Sequence, residues 1–170
     1  MISQAMQDAF NKQINEELFS AYLYASMANY FEDKSLKGFA HWMRLQSEEE
    51  LDHTRRLVTF MNDRGGRVVL AAVAAPKVEW ESALSTFEEA YEHECHISAC
   101  INNLSTKAME ERDHASHAFL EWFVTEQVEE ESNADDVVQQ LKLMDGAPGG
   151  LFLMDRELAQ RAAGPAEETA

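Results

Sequence analysis

Apolar residues recur along this chain at alternating three- and four-residue intervals, the spacing that places side chains on one face of a helix. Four long stripes result. They read Phe10, Ile14, Glu17, Ala21, Tyr24, Ala28, Phe31; then Phe39, Met43, Gln46, Glu50, His53, Leu57, Phe60; then Phe87, Ala90, Glu94, Ile97, Ile101, Leu104, Ala108; and Leu120, Phe123, Gln127, Glu130, Ala134, Val137, Leu141. They predict helices over about 3–31, 35–63, 82–109 and 113–144, with Ser35 the candidate N-cap of the second and Arg64-Gly65-Gly66 its stop. The run from Asp145 to Gly150 is the clearest breaker. A short amphipathic helix is expected over about 151–162, with Leu151, Leu153 or Met154, and Leu158 on one side. A loose polar tail, 163–170, follows it.

The link over 65–81 is longer than adjacent helices need. It carries Val68-Val69-Leu70 and Pro76, so it is read as extended and able to run the length of a bundle. The second and third helices can then lie parallel. The expected fold is all-α: a four-helix bundle with one long crossover and a short fifth C-terminal helix, as a single domain over 1–170. The fifth helix is too short to stand alone in water and must dock. The core of the long helices is read as separate from it, so they are expected to fold without it.

Composition narrows the functional classes. With 45% hydrophobic residues and only 7 Gly and 3 Pro in 170, the chain reads as a helical domain with a sizeable core. A net charge of −17 disfavours nucleic-acid or anionic-membrane partners. It fits either a solvated acidic surface or carboxylates that gather cations. Cys95 and Cys100 lie five apart on a predicted helix, where they point different ways and should not bond. No disulfide framework, secretory signal or membrane-length apolar run is read, so a cytoplasmic location is expected.

Charge interrupts every stripe: Glu17, Glu50 with His53, Glu94, and Gln127 with Glu130. In an up-and-down bundle all of these can fall at one level. Four unpaired carboxylates there would each cost several kcal/mol of desolvation, roughly, and two divalent cations would cancel their charge. A glutamate on each of two helices with Glu-x-x-His on the others is the pattern of di-iron carboxylate bundles. The fourth helix departs from it, with Gln127-Val128-Glu129-Glu130. A second Glu-x-x-His, Glu111 to His114, falls in a predicted turn and is read as coincidental. His93 and His96 are read as solvent or subunit-contact residues, and Trp122 as core. Tyr24 either lines the bundle or stands beside the metals. Glu49, Glu126 and Glu129 flank the site residues, and the last two share a helix face.

Asn15-Glu16-Glu17-Leu18 with Tyr24, Glu48 to His53, Tyr91-Glu92-His93-Glu94 and Trp122 to Glu131 together resemble the bacterial non-haem ferritins. The segment Leu151 to Leu158 resembles that family's fifth helix. The resemblance implies a ferroxidase that oxidises Fe²⁺ with dioxygen and stores ferric oxyhydroxide inside a 24-subunit octahedral shell. It implies one iron at Glu17, Glu50 and His53, and another at Glu50, Glu94 and Glu130, with Glu50 bridging. Gln127 matches a position that supports these ligands, and Glu49, Glu126, Glu129 and Glu130 match a third iron site. Haem is not expected, because Leu51 stands where bacterioferritins carry the ligating methionine. His117 and Leu120 stand where animal ferritins place acids at the three-fold pore, so an acidic funnel is not expected. Two other readings stay open on residues alone: a di-iron oxygenase or peroxidase on the same bundle, and an acidic bundle that only mediates assembly.

Overall fold

A computed structural model of the chain describes residues 2–144, 147 and 149–162. Among the described residues the secondary structure is five helices: α1 (Gln4–Asp33), α2 (Lys37–Asp63), α3 (Ala83–Glu110), α4 (His114–Leu143) and α5 (Gly150–Leu158). The expected loose tail, and Asp145, Gly146 and Pro148 of the breaker, lie outside the described residues.

Side chains that satisfy free N–H groups set three of the long-helix starts. Ser3 accepts from the Met6 N–H, Ser82 forms a capping box with Ser85, and Asp113 accepts from the Ser116 N–H. The start of α2 differs. Ser35 does not cap it: Ser35 sits at φ 59 and closes α1, because the chain must reverse there. Leu36 takes the cap position and offers no acceptor. The acceptor comes instead from α5, where Asp155 Oδ1 receives the N–H groups of Gly38 at 2.7 Å and Phe39 at 3.2 Å.

Three helix ends share one geometry. The N–H groups of Leu36, Gly66 and Asp113 reach back to the carbonyls of Phe31, Met61 and Ala108. The residues just before them, Ser35, Gly65 and Arg112, have positive φ. This is the Schellman arrangement, and only one of the three uses glycine.

The link over 64–82 runs beside α1 in the opposite sense to α2. Gln7 and Asn11 hold its start, accepting from the Arg67 and Val69 N–H groups. Further along, Ser26 donates to the Lys77 carbonyl and Tyr30 to that of Trp80. From Gln7 to Tyr30 a helix rises roughly 35 Å, so the link spans most of the bundle and leaves α2 and α3 parallel.

Every stripe position is buried except Phe60, which is half-buried and stacks on Phe119 with ring centres 3.9 Å apart. The apolar core is not continuous. One cluster holds Met27, Phe31, Phe39, Met43, Phe87 and Leu141; the other holds Phe10, Ile14, Leu57, Ile101, Leu120 and Phe123. The polar interruptions of all four stripes lie between them. Met154 and Leu158 of α5 are buried in the first cluster, so the bundle core and α5 are one unit, contrary to the separation expected from sequence. Leu151, Phe152 and Leu153 are exposed, so Leu151 does not share the docked face. The helix stops at Leu158, short of the expected 162, because the chain turns there and directs Arg161 back onto α2.

Candidate metal centre

Glu17 from α1, Glu50 and His53 from α2, Glu94 from α3 and Glu130 from α4 meet between the two apolar clusters. All are at least 94% shielded from solvent, with exposures of 0%, 0%, 4%, 1% and 6%. Their ligand atoms form two triplets, Glu17–Glu50–His53 and Glu50–Glu94–Glu130, each within 4.8 Å. Glu50 belongs to both. His53 Nδ1 lies 3.3 Å from Glu50 and 3.8 Å from Glu17, and His53 Nε2 lies 3.9 Å from Glu130.

Outer contacts hold the carboxylates in place. Gln13 donates to Glu17 at 2.8 Å. Gln46 and Gln127 donate to the two oxygens of Glu130 at 3.0 and 2.8 Å. Ser98 donates to Gln127 at 3.1 Å, and the Tyr24 hydroxyl donates to Glu94. Tyr24 therefore both lines the bundle core and touches a carboxylate of the candidate centre. Trp122 is half-buried rather than core; it stands edge-on to His53 under the Arg56 guanidinium.

Buried polar atoms normally find partners. Among the described residues, the buried side-chain atoms that find none include Glu17 Oε2, both oxygens of Glu50, His53 Nδ1 and Glu94 Oε2. These atoms have no hydrogen-bond partner, only the approach of His53 to Glu50 at 3.3 Å and to Glu17 at 3.8 Å, and a cation would satisfy them together. Electrostatics agree. Burial, then the charges of Glu94 and Glu17, push Glu50 well above the usual carboxylate range. Burial, Glu50 and Glu94 do the same to Glu130, and burial raises Glu94. Burial opposes ionisation of Glu17 as well, but His53, then Glu50 and Gln13, outweigh it and lower its pKa. Burial disfavours the His53 cation, yet Glu17 and Glu130 overcome this and raise it to about 9. Without metal, burial and mutual repulsion favour the protonated forms of Glu50, Glu94 and Glu130.

The flanking acids are less convergent. Glu126 approaches His53 and Glu130 to form a third triplet. Glu49 is half-buried and pairs with Arg161 at 2.6 Å, and Glu129 is exposed. Neither Glu49 nor Glu129 joins a metal-sized group among the described residues. His114 of the second Glu-x-x-His is exposed at the start of α4, while Asp113 accepts a forked pair from Arg64. His96 is exposed, but His93 is mostly covered, bonded to Ser20 at 2.7 Å, and lowered to about 4 by burial and by His96.

Sequence reasoning missed Gln13, Gln46 and Arg161 as site supports. Gln46 stood on its stripe and Gln13 lies one helical turn from Glu17, so both had a spacing signal. Arg161 had none, because only the docking of α5 brings it there.

The model of the ferritin-like domain family matches residues 7–144. The chain belongs to the ferritin-like family. A bacterial non-heme ferritin of Bacteroides fragilis is 40% identical over 161 residues, covering 95% of this chain and all of the relative. Another, of Staphylococcus saprophyticus, is 36% identical with 95% and 97% coverage. The open-pore ferritin of Archaeoglobus fulgidus superposes with a TM-score of 0.94 at 48% identity, covering 95% of this chain and all of that one. A closed form of the Archaeoglobus fulgidus ferritin, engineered by site-directed mutagenesis, superposes at 0.95 with 48% identity and covers 96% of this chain and all of that one. The matched span contains all five buried residues of the ferritin-like chain's candidate centre.

Proposed function

We propose that this chain stores and detoxifies iron as a ferroxidase, with Fe²⁺ as substrate and dioxygen as acceptor. The carrying observation is the pair of buried triplets that share Glu50, in which five atoms of Glu17, Glu50, His53 and Glu94 have no hydrogen-bond partner. Glu17, Glu50 and His53 take one iron; Glu50, Glu94 and Glu130 take the other. Two Fe²⁺ balance four carboxylates, and carboxylate with imidazole suits iron. Each ion gives up one electron and dioxygen accepts both. Gln13, Gln46, Gln127 and Tyr24 keep the carboxylates aimed while the ions arrive and leave. Ferric product hydrolyses and collects within a 24-subunit shell. Glu126, with Glu49 and Glu129 once Arg161 yields, is the place for a third iron. The half-buried free thiols of Cys95 and Cys100 fit a reducing compartment, so we place the protein in the cytoplasm. Among the described residues no helix is long and apolar enough to cross a membrane.

Shell closure has a second reading. The resemblance to bacterial ferritins favours an octahedral shell, and the 48% identity to an open-pore ferritin favours an open one. Electron microscopy of the purified particles separates them, and analytical ultracentrifugation first tests for a large particle at all. A monomer or dimer at every salt concentration would defeat the storage reading while leaving the metal centre intact.

A further inference from the structure

A second group of ligand-bearing side chains lies apart from the buried centre, across the seam between α1 and α3. His96 and Cys100 stand four apart on α3, hence on one face, and Glu16 reaches them from α1. His96 Nε2 is 3.3 Å from Glu16 Oε2, and Cys100 Sγ is 3.6 Å from His96 Nε2. One ligand atom from each of the three lies within 4.8 Å of the others. His96 is exposed while Glu16 and Cys100 are half-buried, so one side stays open to water.

Those separations have a chemical meaning. Zinc holds imidazole nitrogen and carboxylate oxygen at roughly 2.0–2.1 Å and thiolate sulfur at about 2.3 Å, tetrahedrally. The edges of such a tetrahedron are about 3.3–3.4 Å for nitrogen to oxygen and about 3.5–3.6 Å for sulfur to nitrogen. Two edges of the triad therefore stand at coordination spacing already. The His–Glu ion pair and the Cys–His hydrogen bond are each worth little on a surface, but together they gather an oxygen, a nitrogen and a sulfur donor into one metal-sized group. We propose that Glu16, His96 and Cys100 form a surface site for one thiophilic divalent cation, Zn²⁺ foremost, with water as the fourth ligand.

The donor set separates this site from the buried one. Sulfur selects borderline-soft ions, whereas the buried centre offers oxygen and a single imidazole. Lys12 and Lys107 line the groove on the Cys100 side, where positive charge favours the thiolate that a metal takes. The proposal does not depend on the iron chemistry proposed above.

Cobalt(II) is the probe, because thiolate bound to it gives a charge-transfer band that oxygen and nitrogen ligands cannot. The iron-free full-length protein is titrated with Co²⁺ at slightly alkaline pH and then back-titrated with Zn²⁺. The expected result is one sulfur–cobalt band per chain, displaced by one equivalent of Zn²⁺. It should persist in Cys95→Ser and in Glu50→Ala, vanish in Cys100→Ser, and need at least about tenfold more metal in His96→Ala or Glu16→Gln, as loss of one ligand implies. No such band in the unmodified chain, or a band that survives Cys100→Ser, overturns the site. Because Glu50→Ala removes the buried centre and spares the band, failure of either proposal is recognisable on its own.

Discussion

At the scale of single residues, the proposed ferroxidase chemistry turns on His53 and Glu50. Glu50→Ala removes the oxygen pair common to both triplets, and His53→Ala the one imidazole, so each should abolish rapid Fe²⁺ oxidation in stopped-flow absorbance. The metal-free Glu50→Ala chain should be no less stable than its parent in denaturant titration, because a buried carboxyl whose ionisation is opposed by burial and by Glu94 and Glu17 is removed. Wild-type oxidation by Glu50→Ala would remove Glu50 from the centre. Gln46→Ala and Gln127→Ala act one step out and should weaken metal binding by about 10–100-fold while leaving the stoichiometry unchanged.

The protons that stand in for metal give a pH test with a definite sign. The pKa of His53 is raised to about 9 from 6.5. Its contribution is therefore complete below pH 6.5 and lost as pH rises through 9. The raised pKa values of Glu50 and Glu130 act the same way, since their ionised forms are disfavoured in the fold. Glu17, lowered, contributes above the ordinary carboxylate range and loses that contribution only in acid. The metal-free protein should thus lose stability between pH 6.5 and 9, by up to about 3 kcal/mol from His53. Saturating divalent metal should flatten that slope. A flat metal-free profile would mean that His53 is not the charged partner of Glu17 and Glu130.

Element by element, the helix ends and α5 carry the features least visible in sequence. The stripes predicted the four long helices because alternating three and four spacing specifies a face whatever lies opposite. The charged interruptions could be placed at one level for the same reason. Ser35 misled, since serine suits both an N-cap and a turn; here positive φ at the end of α1 won. Replacing exposed Ser35 by Gly should stabilise the chain by up to about 1 kcal/mol, because a side chain at φ 59 is strained and glycine is not. The cap of α2 and the grip of Arg161 on Glu49 depend on residues more than a hundred positions away, so no local pattern could announce them. Asp155→Ala should cost about 1–2 kcal/mol, read by thermal unfolding, by leaving the Gly38 and Phe39 N–H groups unserved. Gly38→Ala should disturb the same joint more, because its Cβ would fall 1.6 Å from the Asp155 carbonyl oxygen. Truncation after Pro148 should consequently cost stability as well as assembly. Unchanged unfolding on truncation would return α5 to the separate role that its sequence suggested.

For the whole molecule, the exposed face of α5 is the informative surface. Leu151, Phe152 and Leu153 present apolar area beside a docked helix, on a chain whose net charge of −17 otherwise favours solubility. If subunits meet there, Phe152→Asp with Leu153→Asp should leave each chain folded yet lower the particle mass or the iron retained, as read by ultracentrifugation and iron assay. Native mass and iron capacity in that variant would place the subunit contact elsewhere. The number of subunits and the closure of the shell are properties of surfaces between copies, which periodicity within one chain does not encode. That part of the reading came from family resemblance, as did the division of the buried carboxylates into two ligand sets, whereas the meeting of Glu17, Glu50, His53, Glu94 and Glu130 at one level was legible in the stripes.

The most direct test of the account is an anaerobic calorimetric titration of the metal-free protein with Fe²⁺, run beside Glu50→Ala. Two tightly bound ions per chain are expected in the parent, with loss of both tight sites in the variant. Binding no stronger than a scattered acidic surface gives, equal in the two proteins, would contradict it.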